Sequence, residues 1–159
     1  MNINIIAVGK IKEQYYREAC EEYQKRLSVY HTVKVVEVKD EKAPEKLSHK
    51  QEIQVVETEG EKLLKHLKNN QYVIALAIEG KPLNSTAFSM KIEEIALSGK
   101  SDISFVIGGS LGLSEKVLAK ADLTLSFSDM TFPHQLMRVI LLEQIYRAAK
   151  IKNNEPYHK

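Results

Sequence analysis

The chain has 159 residues, 43% hydrophobic and 28% charged, with a formal net charge of +2. That length and balance fit one soluble domain with a real core, and the charge is too small to mark a free nucleic-acid binder. No apolar run approaches the roughly 20 residues of a membrane span. The single cysteine, Cys20, leaves no internal disulfide framework and no cysteine-based metal site.

Residues 2–8 (Asn-Ile-Asn-Ile-Ile-Ala-Val) read as a first strand turned by Gly9-Lys10. The start has no leading basic region and no small-residue cleavage site, so it is expected to be part of the fold of a cytoplasmic protein rather than a signal peptide. Residues 13–30 carry the helical period, with Tyr16, Ala19, Cys20, Tyr23 and Leu27 on one face. Cys20 therefore reads as a buried thiol. Residues 33–38 form a second strand, and the charged stretch 40–48, with Pro44, a loop. A long helix is expected over 50–68, with Ile53, Val56, Leu63, Leu64 and Leu67 as apolar positions and Gly60 as a weak point.

Residues 72–78 are apolar throughout, as a central parallel strand buried on both faces would be. Glu79-Gly80-Lys81-Pro82 closes that strand, and Ser85 is expected to cap a helix running to about Ser98, with Phe88, Ile92 and Ile95 inward. Two further apolar strands, 103–107 and 123–127, flank a short helix at 114–120, and a last helix runs over 133–150. Strands and helices alternate without a repeat or linker. The expected class is α/β, a mostly parallel sheet with helices on both faces, in a single domain over 1–159.

In such a sheet small ligands settle in the crevice beyond the carboxyl ends of the strands. Gly108-Gly109-Ser110-Leu111-Gly112 follows one strand and Phe127-Ser128-Asp129-Met130-Thr131-Phe132-Pro133-His134 another. The glycines fall at i, i+1 and i+4, where a dinucleotide fingerprint needs i, i+2 and i+5. Gly99-Lys100-Ser101 mimics the end of a P-loop, but Glu94 stands at the earlier glycine position. The Gly108–Gly109 strand end offers either backbone that a flat ring can approach or a tight turn of unusual dihedrals. The second loop mixes two Phe, a Met and small polar residues, a composition suited to wrapping a ligand. His134 and Arg138 lie four apart, on one face of the last helix. The ending Pro156-Tyr157-His158-Lys159 offers an aromatic to stack on a base, an imidazole and a cation. Four Lys/Arg (Arg147, Lys150, Lys152, Lys159) stand against Glu155 there, with a solvated end as the plainer reading. His31, His49 and His66 have no ligand spacing, and no metal is expected. From the residues alone, a nucleotide-dependent enzyme of the doubly wound kind stays open.

Taken together, the Ala-Val-Gly-Lys start, Ile-Gly-Gly-x-x-Gly-Leu-Ser, Phe-Pro-His-x-Leu-x-Arg-Val, Glu-Gln-Ile-Tyr-Arg-Ala and the Pro-Tyr-His ending resemble the SPOUT class of RNA methyltransferases, and within it the small RlmH family. The resemblance covers essentially the whole chain; the alternatives beside it are a non-catalytic ribosome-associated module and a SPOUT methyltransferase acting on another RNA nucleotide. It implies S-adenosylmethionine as cofactor and methylation of N3 of a pseudouridine in large-subunit ribosomal RNA on the assembled ribosome. It also implies a C-terminal trefoil knot over roughly 72–159 and a homodimer with its site at the interface. Carried over by position, Leu76, Gly108, Phe127, Ser128, Asp129, Met130, Thr131 and Phe132 would hold the cofactor. His134 or His158 would take the proton, Arg138 would stabilise a developing anion or grip a phosphate, and Tyr157 from a partner subunit would stack on or orient the base.

Overall fold

A computed structural model describes residues 1–42 and 44–159; Ala43, within the expected 40–48 loop, lies outside the described residues. Five strands, β1 (Asn2–Val8), β2 (Thr32–Val38), β3 (Tyr72–Pro82), β4 (Asp102–Ile107) and β5 (Leu123–Ser126), form one sheet in the order β2-β1-β4-β3-β5. Every pairing is parallel. Helices α1 (Gln14–Leu27), α2 (His49–Leu64), α3 (Ser85–Leu97), α4 (Glu115–Lys120) and α5 (His134–Lys152) make the crossovers. The α/β class and all ten elements are as expected, with boundaries shifted by a few residues.

The sheet has two unequal sides. Ile3, Ile5, Ile74, Ile103, Phe105 and Ile107 point to the larger core, which α1, α3 and α5 cover. Alternate residues Ile6, Val8, Val73 and Val106 point to a smaller core with Leu63 and Val117 from α2 and α4. Because side chains alternate along a strand, β1 and β4 are apolar on both faces toward their carboxyl ends, while Asn2, Asn4, Asp102 and Ser104 stand on the smaller side nearer their starts. Cys20 is buried in the larger core, and burial pushes its thiol up to about 11. It is a packing thiol.

Local chemistry sets the helix ends. Ser48 accepts from Gln51 N–H while the Gln51 side chain accepts from Ser48 N–H, a reciprocal capping box that starts α2. The cap of α3 is Asn84, whose Oδ1 accepts from Ala87 N–H at 2.8 Å, one residue before the expected Ser85. Gly60 is a close-packing position rather than a weak point. A Cβ there would come within 2.2 Å of Ser114 Oγ, the cap of α4, so its absence lets α2 and α4 approach.

Beyond Leu76, β3 does not end as expected. It bulges through residues 77–80 and pairs again with β5 at Lys81 and Pro82. Gly80 makes this return feasible, since a Cβ would meet the Leu125 backbone at 2.7 Å. From β5, an edge strand, the chain comes back to α5, which packs against both α1 and α3.

Candidate active site

The 127–133 connection crosses the carboxyl edge of the sheet and faces the 77–80 bulge and the 108–112 turn across a cleft of about 400 Å³. Its walls are apolar (Leu76, Ile107, Leu125, Phe127, Phe132, Met137) and its floor is main chain from Gly108 to Gly112. Of the eight positions expected to hold a cofactor, seven line this one cleft; Asp129 sits in the same loop but is exposed and outside the lining. Ala77, Ile78, Leu111 and Met137 also line it and escaped sequence reasoning. The bulge explains the first two, because the run through residue 78 reads as unbroken strand.

The glycine segment is a built turn. Gly109 and Gly112 bridge in antiparallel fashion, Gly112 N–H donates to Gly109 O at 3.1 Å, and Gly112 has φ +87°. A Cβ on Gly108 would meet the Gly112 carbonyl oxygen at 2.5 Å. One on Gly109 would meet the Glu59 carboxyl at 2.8 Å. Of the two readings of these glycines, the tight turn is the one that requires them. Glu59 is buried beneath the turn, where burial raises its pKa, and its Oε1 accepts from Glu41 N–H at 3.0 Å. In the facing loop, Ser128 Oγ accepts from Met130 N–H at 2.9 Å, and Ser126 Oγ donates to Ser128 O at 3.2 Å. Both walls are thus held before any ligand arrives.

His134, first residue of α5, borders the same cleft. Burial lowers its pKa and the Arg138 charge lowers it further, with Lys12 adding to this and Asp40 opposing. The imidazole is therefore neutral at pH 7, which a proton acceptor requires.

Arg138 lies elsewhere. One turn along α5, it is 1% exposed and faces away from the cleft into the body of the fold. Its guanidinium pairs with Glu37 at 2.5 Å and donates to Val8 O at 3.1 Å and to Gly9 O. Those contacts fasten the start of α5 to the ends of β1 and β2. Within one chain the guanidinium is a clasp beneath His134.

The C-terminal residues also lie apart from the cleft. Tyr157 stacks edge-on against Tyr146 at 5.0 Å, carries Arg147 over its ring at 4.8 Å and donates to Glu143 Oε1 at 3.1 Å. His158 Nδ1 is 3.4 Å from Arg147. Tyr30 donates to Glu155 Oε2 at 2.6 Å, and Lys150 pairs with the same carboxylate. The tail is fastened to α5, not frayed. Thirteen residues of helix separate His134 from Arg147, about 20 Å at 1.5 Å per residue. Within one chain, Tyr157 and His158 do not meet the cleft that His134 borders.

The residues present fit a cofactor with a flat ring and a polar, charged remainder. Apolar walls accept the ring, the glycine turn offers main-chain groups, and the volume lies within the ordinary range for small-molecule sites. An all-parallel sheet with a preformed cleft between two loop-bearing strand ends defines an α/β protein with a small-molecule site at the carboxyl edge. The chain belongs to the SPOUT methyltransferase family: the sequence model described as "Predicted SPOUT methyltransferase" matches residues 1–158. It is 55% identical over 159 residues to a protein of Exiguobacterium sp. named "Ribosomal RNA large subunit methyltransferase H", covering all of both chains. A protein of the same name from Clostridioides difficile is also 55% identical over 159 residues, again with complete coverage. Among solved structures, a methylase family protein from Haemophilus influenzae matches with TM-score 0.56 at 12% identity, over 99% of this chain and 70% of that one. A protein from Legionella pneumophila, described as a methyltransferase with SAM bound, matches with TM-score 0.52 at 12% identity, over 94% and 66%. At that identity the two structures bear on fold alone.

Proposed function

We propose that this methyltransferase acts on large-subunit ribosomal RNA with S-adenosylmethionine as donor, methylating N3 of a pseudouridine on the assembled ribosome in the cytoplasm, as a homodimer. The full-length 55% identity to the two relatives named above carries the substrate. The preformed cleft supports the cofactor. The reading includes a single domain over 1–159, with a trefoil knot over roughly 72–159.

Leu76, Phe127, Phe132 and the 108–112 turn would hold the cofactor, with Ser128, Met130 and Thr131 closing over it. When bound, the cofactor supplies an electrophilic methyl on a sulfonium. Methyl transfer to nitrogen is an in-line displacement, so placement supplies most of the acceleration. The N3–H proton must leave. His134, neutral and beside the cleft, is the acceptor this chain offers there, and His158 of the partner subunit is the other candidate. Arg138 is a positioning residue that sets His134 through the start of α5. Tyr157 of the partner subunit orients the RNA base. The 20 Å gap within one chain supports the dimer, because a second copy is needed to bring a tail to each cleft.

Two measurements test this. Large-subunit RNA from cells lacking the chain should lose one pseudouridine methyl by mass spectrometry, and the purified protein should restore it with S-adenosylmethionine. An unchanged RNA overturns the substrate. Calorimetry showing no binding of S-adenosylmethionine overturns the cofactor.

A further inference from the structure

The smaller core leaves the amino-terminal half of β1 and β2 partly uncovered on the α2 side. A groove of about 370 Å³ opens there, at the opposite edge of the sheet from the cleft. Lys34 of β2 rises from its floor, Lys65, His66 and Lys68 follow the end of α2 along its wall, and the one acid among its lining residues is Asp102. Asp102 is already engaged, accepting from Asn2 Nδ2 at 3.0 Å and from Ser101 Oγ at 2.9 Å.

The cations elsewhere make the groove distinctive. In the basic C-terminal stretch, Arg147 pairs with Glu143, Lys150 with Glu155 and Lys152 with Glu93. Lys34, Lys65 and Lys68 are exposed, and none has an ion-pair partner among the described residues. The composition of the tail points to the end of the chain as the cationic surface. Other exposed lysines without an ion-pair partner, such as Lys25 on α1, Lys50 on α2 and Lys120 on α4, lie on separate elements, whereas Lys34, Lys65 and Lys68 line one groove. Besides these cations the lining offers amide and hydroxyl groups (Asn4, Gln71, Thr32) and no Phe, Tyr or Trp ring. Three ammonium groups against one engaged carboxylate suit phosphate oxygens.

We propose that this groove is a second RNA contact, which grips the phosphodiester backbone of the substrate through Lys34, Lys65 and Lys68 while the base reacts at the cleft. It rests on ribosomal RNA being the substrate. The six-residue length of strand between the two edges is about 20 Å, so the groove holds RNA flanking the reacting nucleotide rather than the nucleotide itself. Phosphate contacts position without specifying, so the groove contributes affinity and orientation and leaves the choice of base to the cleft.

The test compares the triple variant Lys34→Gln/Lys65→Gln/Lys68→Gln with a charge-matched control, Lys25→Gln/Lys50→Gln/Lys120→Gln. Binding to purified large ribosomal subunits and methyl transfer are measured across a salt series. The groove variant should raise KM for subunits by roughly 10-fold and make the slope of log affinity against log salt shallower by about 2. Its kcat and its affinity for S-adenosylmethionine should stay unchanged. Wild-type KM and salt slope in the groove variant overturn the proposal, as does an equal loss in the control. A fall in sedimentation mass of the groove variant also overturns it, by assigning this face to contacts between copies. If the wild-type protein transfers no methyl to subunits, the substrate reading fails, while the binding slopes still decide whether the groove meets RNA.

Discussion

The carboxyl edge of the sheet and the C-terminal tail are the two regions that the sequence marks for chemistry, and they are built in opposite ways. The cleft is assembled from strand ends and held by bonds that fix its main chain: the Gly108–Gly112 turn on one side and the Ser126 and Ser128 hydroxyls on loop backbone on the other. The tail is held by side chains, with Tyr157 between Tyr146, Arg147 and Glu143, about 14 to 20 Å along α5 from His134. A main-chain cradle can bind a cofactor unaided. In the proposed dimer, a tail folded onto its own helix, away from its own cleft, would serve the other chain's site.

The sharpest way to break this contrast is to remove residues 156–159. Turnover on ribosomes should fall at least ~100-fold, the scale of a lost positioning group, with cofactor affinity unchanged by calorimetry. Mixing that truncated chain with a cofactor-blind Gly108→Val chain should restore roughly a quarter of wild-type activity, since half the dimers are mixed and each has one whole site. If mixing restores nothing, each tail serves its own cleft.

Arg138→Met tests the clasp. It leaves the Glu37 carboxylate and the Val8 and Gly9 carbonyls without their partner, and should cost about 3 kcal/mol of stability by urea unfolding. A kcat loss with stability and cofactor affinity preserved would instead place the guanidinium at the reacting base.

Gly108→Ala addresses the cleft alone. Its methyl would crowd the Gly112 carbonyl, and overpacking of that kind should weaken cofactor binding roughly 10- to 100-fold. The tail should stay seated, as reported by Tyr157 fluorescence in a variant keeping that tyrosine.

The smallest effect concerns His134. Replacing it with Gln should lower turnover at least ~10-fold. Its folded pKa lies below the ordinary 6.5, so the neutral base persists on acidification and the acidic limb of kcat should have its midpoint below pH 6.5. Asp40 is the one named charge that opposes the shift, so Asp40→Asn should move that midpoint to still lower pH. The sign for stability follows. Just below pH 6.5 the unfolded chain binds more protons at this site than the folded one, so His134 makes the fold less stable as pH falls through that range.

Much of this molecule was legible in advance, for local reasons. The period of residues 72–76 and 103–107 announced central strands, since a strand buried on both faces must be apolar at successive positions. The composition of 127–132 marked a ligand-wrapping loop, and that loop lines the cleft. Local patterns misled where a residue's surroundings come from far along the chain. Gly60 looked like a helix flaw because Ser114, the atom it makes room for, is 54 residues away. The run through residue 78 hid a bulge that exists only because β5 pairs on both sides of it.

By itself the sequence determined the alternation of elements, the helix starts, the two loops at the strand ends and the family. These depend on hydrophobic period, capping and turn chemistry within a few residues. Tertiary structure alone decided that Arg138 is a clasp reaching Glu37 across 101 positions, that Arg147, Lys150 and Lys152 are committed to carboxylates, and that Lys34, Lys65 and Lys68 share a groove at the far edge. A side chain's charge is written in the chain, but whether that charge is buried, paired or free depends on neighbours that only folding brings together.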